Sequence, residues 1–108
     1  MLYHPTALDE LTGSLSPTVQ ADVLAKVDRI NGRTHSEIVK MLDPRTEPKV
    51  FQWEASAQGG TLRVIFAWGK GCLWVIGAFV KVNNKEGERF MRRILPRAVE
   101  VRDWNENR

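Results

Sequence analysis

Three features of the chain predict an α+β fold. Its hydrophobic periodicity is helical up to about residue 48, becomes two-residue alternation as far as residue 81, and turns helical again from Glu86. Two glycine-centred turns, Gln58-Gly59-Gly60 and Gly69-Lys70-Gly71, cut the alternating stretch into three strands. Helices that precede and follow a set of tightly connected strands pack on an antiparallel sheet instead of interleaving with a parallel one. The expected architecture is an N-terminal helical hairpin, a three-stranded antiparallel sheet and a C-terminal helix, in a single domain over residues 1–108.

Each element has its own local reason. Pro5 to Leu15 reads as a short helix, with Thr6 as cap, Leu8 and Leu11 on one side and Gly13 as stop. Ser16 is a good N-cap and Pro17 suits the first helical position. Val19, Val23, Val27 and Ile30 then recur every three or four residues, and Asn31-Gly32 supplies a left-handed stop. Thr34-His35-Ser36-Glu37 matches a capping box, so a further helix is expected, with Ile38, Met41 and Leu42 on one face and Asp43-Pro44 ending it. This helix and the one before it form the expected hairpin.

Beyond Pro48 the alternation begins. Phe51, Trp53 and Ala55 share one face, and Leu62, Val64, Phe66 and Trp68 share another. Cys72 to Lys81 is almost wholly apolar, the pattern of a strand covered on both faces. After it, Phe90, Met91, Ile94 and Leu95 form a helical stripe, Pro96 ends or kinks that helix, and Ala98, Val101 and Trp104 mark another.

Composition narrows the class of function. Apolar residues make up 43% of 108, enough for one core. The single cysteine, Cys72, cannot form an internal disulfide. No secretory leader is read at the start, and the longest apolar run has nine residues against the ~20 of a membrane helix, so a cytoplasmic protein with no membrane partner is expected. Residues 1–80 carry eight bases and eight acids, and residues 81–108 carry eight bases and five acids. The whole net charge of +3 thus lies in the last quarter of the chain, which points to a phosphate-bearing or acidic partner.

Walker and dinucleotide fingerprints are absent, and the glycine pairs read as hairpin turns. His4, His35 and Cys72 do not have metal-ligand spacing, so neither metal nor cofactor is expected. What remains is basic. Arg63 is out of phase with Leu62, Val64 and Phe66 and projects from the opposite face. Lys81 ends the third strand, Lys85 follows it, and Arg89, Arg92 and Arg93 lie on the next helix. If that helix folds over the sheet, Arg63, Lys81, Lys85 and Arg89 ring one concave surface. Guanidinium and ammonium groups there would hold phosphate and offset the charge of a phosphorane, and a crowded lysine would serve as base. The plainer alternatives are a cross-strand Arg63–Glu54 pair and a helical Arg92–Glu88 pair. Trp53, Trp68 and Trp74 on strands read as core or partner interface, with base stacking the other option.

The stretch Phe51-Gln52-Trp53-Glu54, then Leu62-Arg63-Val64-Ile65-Phe66, then Leu73 to Lys81 with its Gly77-Ala78-Phe79-Val80-Lys81 end, resembles the RelE/HigB-like toxin superfamily, nearest its phage-derived branch. The resemblance spans roughly residues 15–98 and implies a RelE-like toxin fold. It implies a type II toxin that acts as a metal-independent mRNA endonuclease on the ribosome and is neutralised by an acidic antitoxin protein. Carried over, Arg63 matches the strand arginine and Lys81 the lysine after the phenylalanine, while Lys85 and Arg89 fall in the right region without matching a fixed position. Arg63, Lys81 and Lys85 are thus the expected catalytic residues, and Arg89, Arg92 and Arg93 are expected to bind RNA. The chain departs from the pattern at Ala55, Ser56, Gly77, Val82 and Gly87, and Tyr3 is its only tyrosine. Those departures suit an alternative, a non-enzymatic toxin-like protein that binds gyrase or a phage or host partner.

Overall fold

In the computed structural model the described residues are 2–31, 40–41, 50–57, 59–69 and 72–106. The order of elements is β1 (Leu2–Tyr3), α1 (Pro5–Ser14), α2 (Pro17–Asn31), β2 (Lys40–Met41), β3 (Val50–Ala57), β4 (Gly60–Gly69), β5 (Cys72–Lys81), α3 (Asn84–Ile94) and α4 (Pro96–Glu106). The fold is α+β, as the periodicity predicts. Among the described residues no helix is long and apolar enough to cross a membrane.

β3, β4 and β5 form the antiparallel meander, joined at the first turn by Gly59 with φ +87°, a conformation that favours glycine. Two short strands extend it to the order β1-β5-β4-β3-β2. β1 lies parallel to β5, with Leu2 opposite Trp74, and β2 lies antiparallel to β3, with Met41 opposite Phe51. Lys40 and Met41 are therefore strand residues and not part of the helix expected from the capping box. The rest of that helix, including His35, lies outside the described residues. The two N-terminal helices are instead α1 and α2, joined through Leu15 and Ser16.

The local signals act through slightly different atoms from those expected. His4, not Thr6, caps α1: its Nδ1 accepts the Thr6 amide at 3.1 Å. Helix α1 runs through Gly13 to Ser14 and buries Ala7 and Leu11, four apart, leaving Leu8 exposed. Ser16 caps α2 through the Val19 amide at 3.3 Å. Asn83 caps α3, its Oδ1 accepting the Glu86 amide at 2.8 Å.

The sheet carries helices on both faces. On one, Leu11, Val19, Val23 and Val27 of α1 and α2 pack against Leu62, Val64, Phe66 and Val75. On the other, Ile94 of α3 and Ala98 and Val101 of α4 pack against Ile65, Ala67, Trp74, Ile76 and Phe79. β5 is buried on both faces from Leu73 to Phe79, which accounts for its unbroken apolar run.

The strand pairing slips once. Ile65 pairs with Gly77 while Phe66 pairs with Val75, so Ile76 is an extra residue on β5. The carbonyl of Ile76 accepts Nη1 of the buried Arg97 at 2.9 Å. Arg97 in turn grips Glu10 of α1 through two hydrogen bonds of 2.7 and 2.8 Å. Nearby, His4 Nε2 lies 3.0 Å from Glu100 Oε2, and the imidazole stacks on Trp104 at 5.1 Å. Helix α4 is thus tied to α1 by one bidentate ion pair and one stacked histidine.

Candidate functional site

Alternation decides which side chains meet α3. Glu54 on β3, Arg63 on β4, and Phe79 and Lys81 on β5 share the face that α3 and α4 cover. Lys81 is held at the sheet's corner by two glycines. A Cβ on Gly60 would run into the Lys81 carbonyl, and one on Gly87 would lie 3.3 Å from the Lys81 stem. The first glycine lets β4 and β5 close up at their ends; the second lets the lysine stem lie along α3.

Here a cavity of about 420 Å³ opens between the sheet and α3. Arg63, Lys81 and Arg92 bring positive charge to it, Glu88 a negative one, and Met91 and Leu95 an apolar wall. The Arg63 side chain is 22% exposed, and its Nε lies 3.2 Å from Glu54 Oε1. That N–H does not point along the contact, so it remains buried without a hydrogen-bond acceptor. Arg92 is exposed and sits 3.9 Å from Glu88, one helical turn back. Both pairs foreseen as plain alternatives are present, and both arginines line the cavity. Among the described residues, Lys81 has no carboxylate within 4 Å.

Lys85, Arg89 and Arg93 do not join this group. They line a second cavity of about 570 Å³ on the other side of α3, with Ser14, Asn83 and Phe90. The single ring of Arg63, Lys81, Lys85 and Arg89 expected from the sequence is therefore two cationic grooves divided by one helix. The division follows from helical geometry: Glu88, Met91 and Leu95 border the first groove, Glu86, Phe90 and Arg93 border the second, and Lys85, Arg89 and Arg92 stand on the exposed face between them. Arg93 is also engaged, 3.5 Å from Glu10 and with its guanidinium carbon 4.9 Å above the Phe90 ring, which stacks on Phe79 at 4.8 Å.

No family model, curated protein or solved structure matches the chain. The functional reading therefore stands on the residues themselves. Among the described residues no three His, Cys, Asp or Glu side chains gather closely enough to hold a metal ion. The groove at Arg63 offers guanidinium forks for a phosphate, one ammonium beside them, and an apolar wall against which a base or ribose fits. Among the described residues that line it there is neither His nor Tyr.

Several structural residues escaped the sequence reading. Asn83 stands three positions before Glu86, a helix-start signature that places the beginning of α3 ahead of Glu86. His4 and Arg97, both buried, carry no local signal, because their partners are 96 and 87 residues away. Trp74 is core, as expected, whereas Trp68 is 45% exposed. Cys72 begins β5.

Proposed function

We propose that this protein is a RelE/HigB-like toxin that cuts messenger RNA, in association with the ribosome, and is neutralised by an acidic antitoxin. One observation carries the reading: Arg63, Lys81 and Arg92, distant in sequence, line a single groove between the sheet and α3. The motif resemblance supports it, since it singles out Arg63 and Lys81 independently of that groove.

In this reading a backbone phosphate lies between the two guanidiniums. The neighbouring ribose 2′-oxygen attacks phosphorus, with the Lys81 side chain as the base that takes its proton. The bond from phosphorus to the 5′-oxygen breaks, leaving a 2′,3′-cyclic phosphate, and the departing oxygen takes a proton from water. Arg63 and Arg92 offset the charge that builds on the phosphorane oxygens. This chemistry needs no metal and no cofactor. Lys85, which lines the other cavity, takes no part in the chemical step.

The test is to incubate purified protein with ribosomes programmed with a defined messenger, and with free RNA, and to map cuts by primer extension. Lys81→Met is expected to slow cutting by about a hundredfold or more, the usual worth of a positioned base. Arg63→Ala should abolish it while circular dichroism stays native. A folded wild type that cuts neither substrate would overturn the reading. A second reading is then the stronger one, a non-enzymatic protein that binds gyrase or a phage or host partner. It is favoured by the lack of His and Tyr among the described residues lining the groove and by the exposure of Leu95, at 41%, on its rim.

A further inference from the structure

His4 lines neither groove, yet it is the most fully committed titratable group in the fold's interior. It is 3% exposed, between β1 and α1, and both of its ring nitrogens are spent. Nδ1 accepts the Thr6 amide at 3.1 Å. A backbone amide can only donate, so Nδ1 carries no proton and the proton of the neutral ring sits on Nε2. Nε2 lies 3.0 Å from Glu100 Oε2, to which it donates. The ring also stacks on Trp104 at 5.1 Å, and Trp104 meets Trp74 edge-on at 6.2 Å. One neutral imidazole thus caps α1 and holds the far half of α4.

A second proton has one place to go. It enters Nδ1, where it meets the Thr6 N–H, donor against donor, and the cap is lost. The new charge also stands out of water at the positive end of the α1 dipole. The surrounding groups offset this poorly. Glu100, from α4, is half exposed, so water screens its attraction. Glu10, from α1, is already held by Arg97 and Arg93. Tyr3, from β1, stays a neutral phenol, since burial and then Asp28 raise its pKa above the ordinary 10.0. β5 meets β1 at Trp74 and Val75, neither of them charged. Asp103, beside Trp104, lies 3.4 Å from Arg102.

We propose that His4 is a proton-operated latch: neutral, it clamps the end of α4 onto the start of α1, and protonated, it releases Thr6 and Trp104 so that α4 beyond Val101 swings away. The groups that stay in place set the hinge. Arg97 keeps its bonds to Glu10 and to the Ile76 carbonyl, and Ala98 and Val101 remain in the core. Glu10, whose pKa the Arg97 hydrogen bonds lower from 4.5, keeps that anchor charged in mild acid. Past Val101, Trp104 is what ties the helix to His4 and Trp74. The closed packing is also incomplete. Trp74 Nε1 is buried with no hydrogen-bond acceptor among the described residues, and an unmet donor weakens the arrangement that buries it. The latch therefore hides Trp74 at neutral pH and uncovers it in mild acid, whatever the two grooves bind.

Nuclear magnetic resonance of the nitrogen-15-labelled wild-type protein tests this from pH 8 down to pH 5. At pH 8 the His4 ring is expected to carry a proton on Nε2 and none on Nδ1. As His4 takes up its second proton, the amides of residues 102–106 should exchange with solvent more readily. After correction for the intrinsic rate, the gain is up to about tenfold per pH unit, the limit for an opening linked to one proton. The amides of β4 should keep their protection. His4→Asn, whose side chain caps α1 without titrating, should lose the extra pH dependence, and its missing ring signals distinguish His4 from His35. Glu100→Gln should move the onset to higher pH, because it weakens the closed state and removes the carboxylate that faces the charged ring. A proton on Nδ1 at pH 8, or exchange at the end of α4 that follows the intrinsic rate alone, would overturn the latch. Both are read on the wild type, so neither depends on a variant folding. The same pH dependence in His4→Asn would also overturn it, by assigning the opening to another group.

Discussion

Glu10 shows how much a single side chain holds. Its carboxylate receives two hydrogen bonds from Arg97 and faces Arg93, while the Arg97 side chain is only 5% exposed. The Arg97 hydrogen bonds, aided by the charges of Arg97 and Arg93 and opposed by burial, lower its pKa from the ordinary 4.5. A carboxyl that gives up its proton more readily in the folded state stabilises the fold fully above the unfolded value. As pH falls below about 4.5 the unfolded chain takes up the proton first, and this stabilisation fades until the folded carboxyl is protonated as well. Glu10→Gln should cost about 3 kcal/mol at pH 7, since it leaves Arg97 buried with a poorer partner. It should also flatten the loss of stability below pH 4.5, measured by urea melts across pH. An acid limb as steep as in the wild type would assign that limb to other carboxylates. This pair was not legible in the sequence, because nothing local links residue 10 to residue 97. Arg63 was legible, because its phase against Leu62 and Val64 is a property of neighbours.

At the scale of elements, the extra residue in β5 explains a glycine that the sequence marks only as a departure from a motif. The slip at Ile76 turns both Ile76 and Gly77 toward the helices, and the space above Gly77 is filled by Ile94 of α3. A Cβ at Gly77 would fall 2.5 Å from Ile94 Cδ1 and 2.7 Å from Cγ1. Gly77→Ala is expected to cost about 1–3 kcal/mol, the usual penalty for overfilling a packed site. The double variant Gly77→Ala/Ile94→Ala should lose less than the sum of the two single losses, measured by chemical denaturation. Strict additivity would mean that the helix simply shifts to make room. Long, capped or strongly alternating elements such as α2, β4 and β5 were legible because caps and periodicity are written within them. β1 and β2 were not: two residues have no period, and both strands exist only because β5 and β3 offer them an edge. At Lys40 and Met41 that pairing prevails over a helical pattern.

At the scale of the molecule, two helical layers clasp one sheet, and the ties from α4 to α1 join the layers around the margin of β5. A protein built this way should unfold as one unit. In the variant Trp53→Phe/Trp68→Phe, far-UV circular dichroism and the emission of Trp74 and Trp104, which meet where α4 packs on β5, are expected to give coincident urea transitions with a slope of about 1–3 kcal/mol/M. An earlier loss of emission would show that α4 detaches first. The candidate site was half legible at this scale. Its residue types and the covering helix were foreseen. Its division into two grooves depends on the roll of α3 about its axis, which Phe79 and Ile94 settle by packing and no sequence period records.

The tie between Glu10 and Arg97 also has a meaning in time. Translation adds about 5–20 residues per second, so roughly 4–17 s separate the making of these two partners, 87 positions apart. From the making of β4 and β5 until the end of that interval, the sheet face that receives α3 and α4, with Ile65, Ala67, Trp74 and Ile76, is uncovered. A nascent chain in this condition is a natural client for holdase chaperones, and its passage to the finished protein waits on the arrival of its final helix.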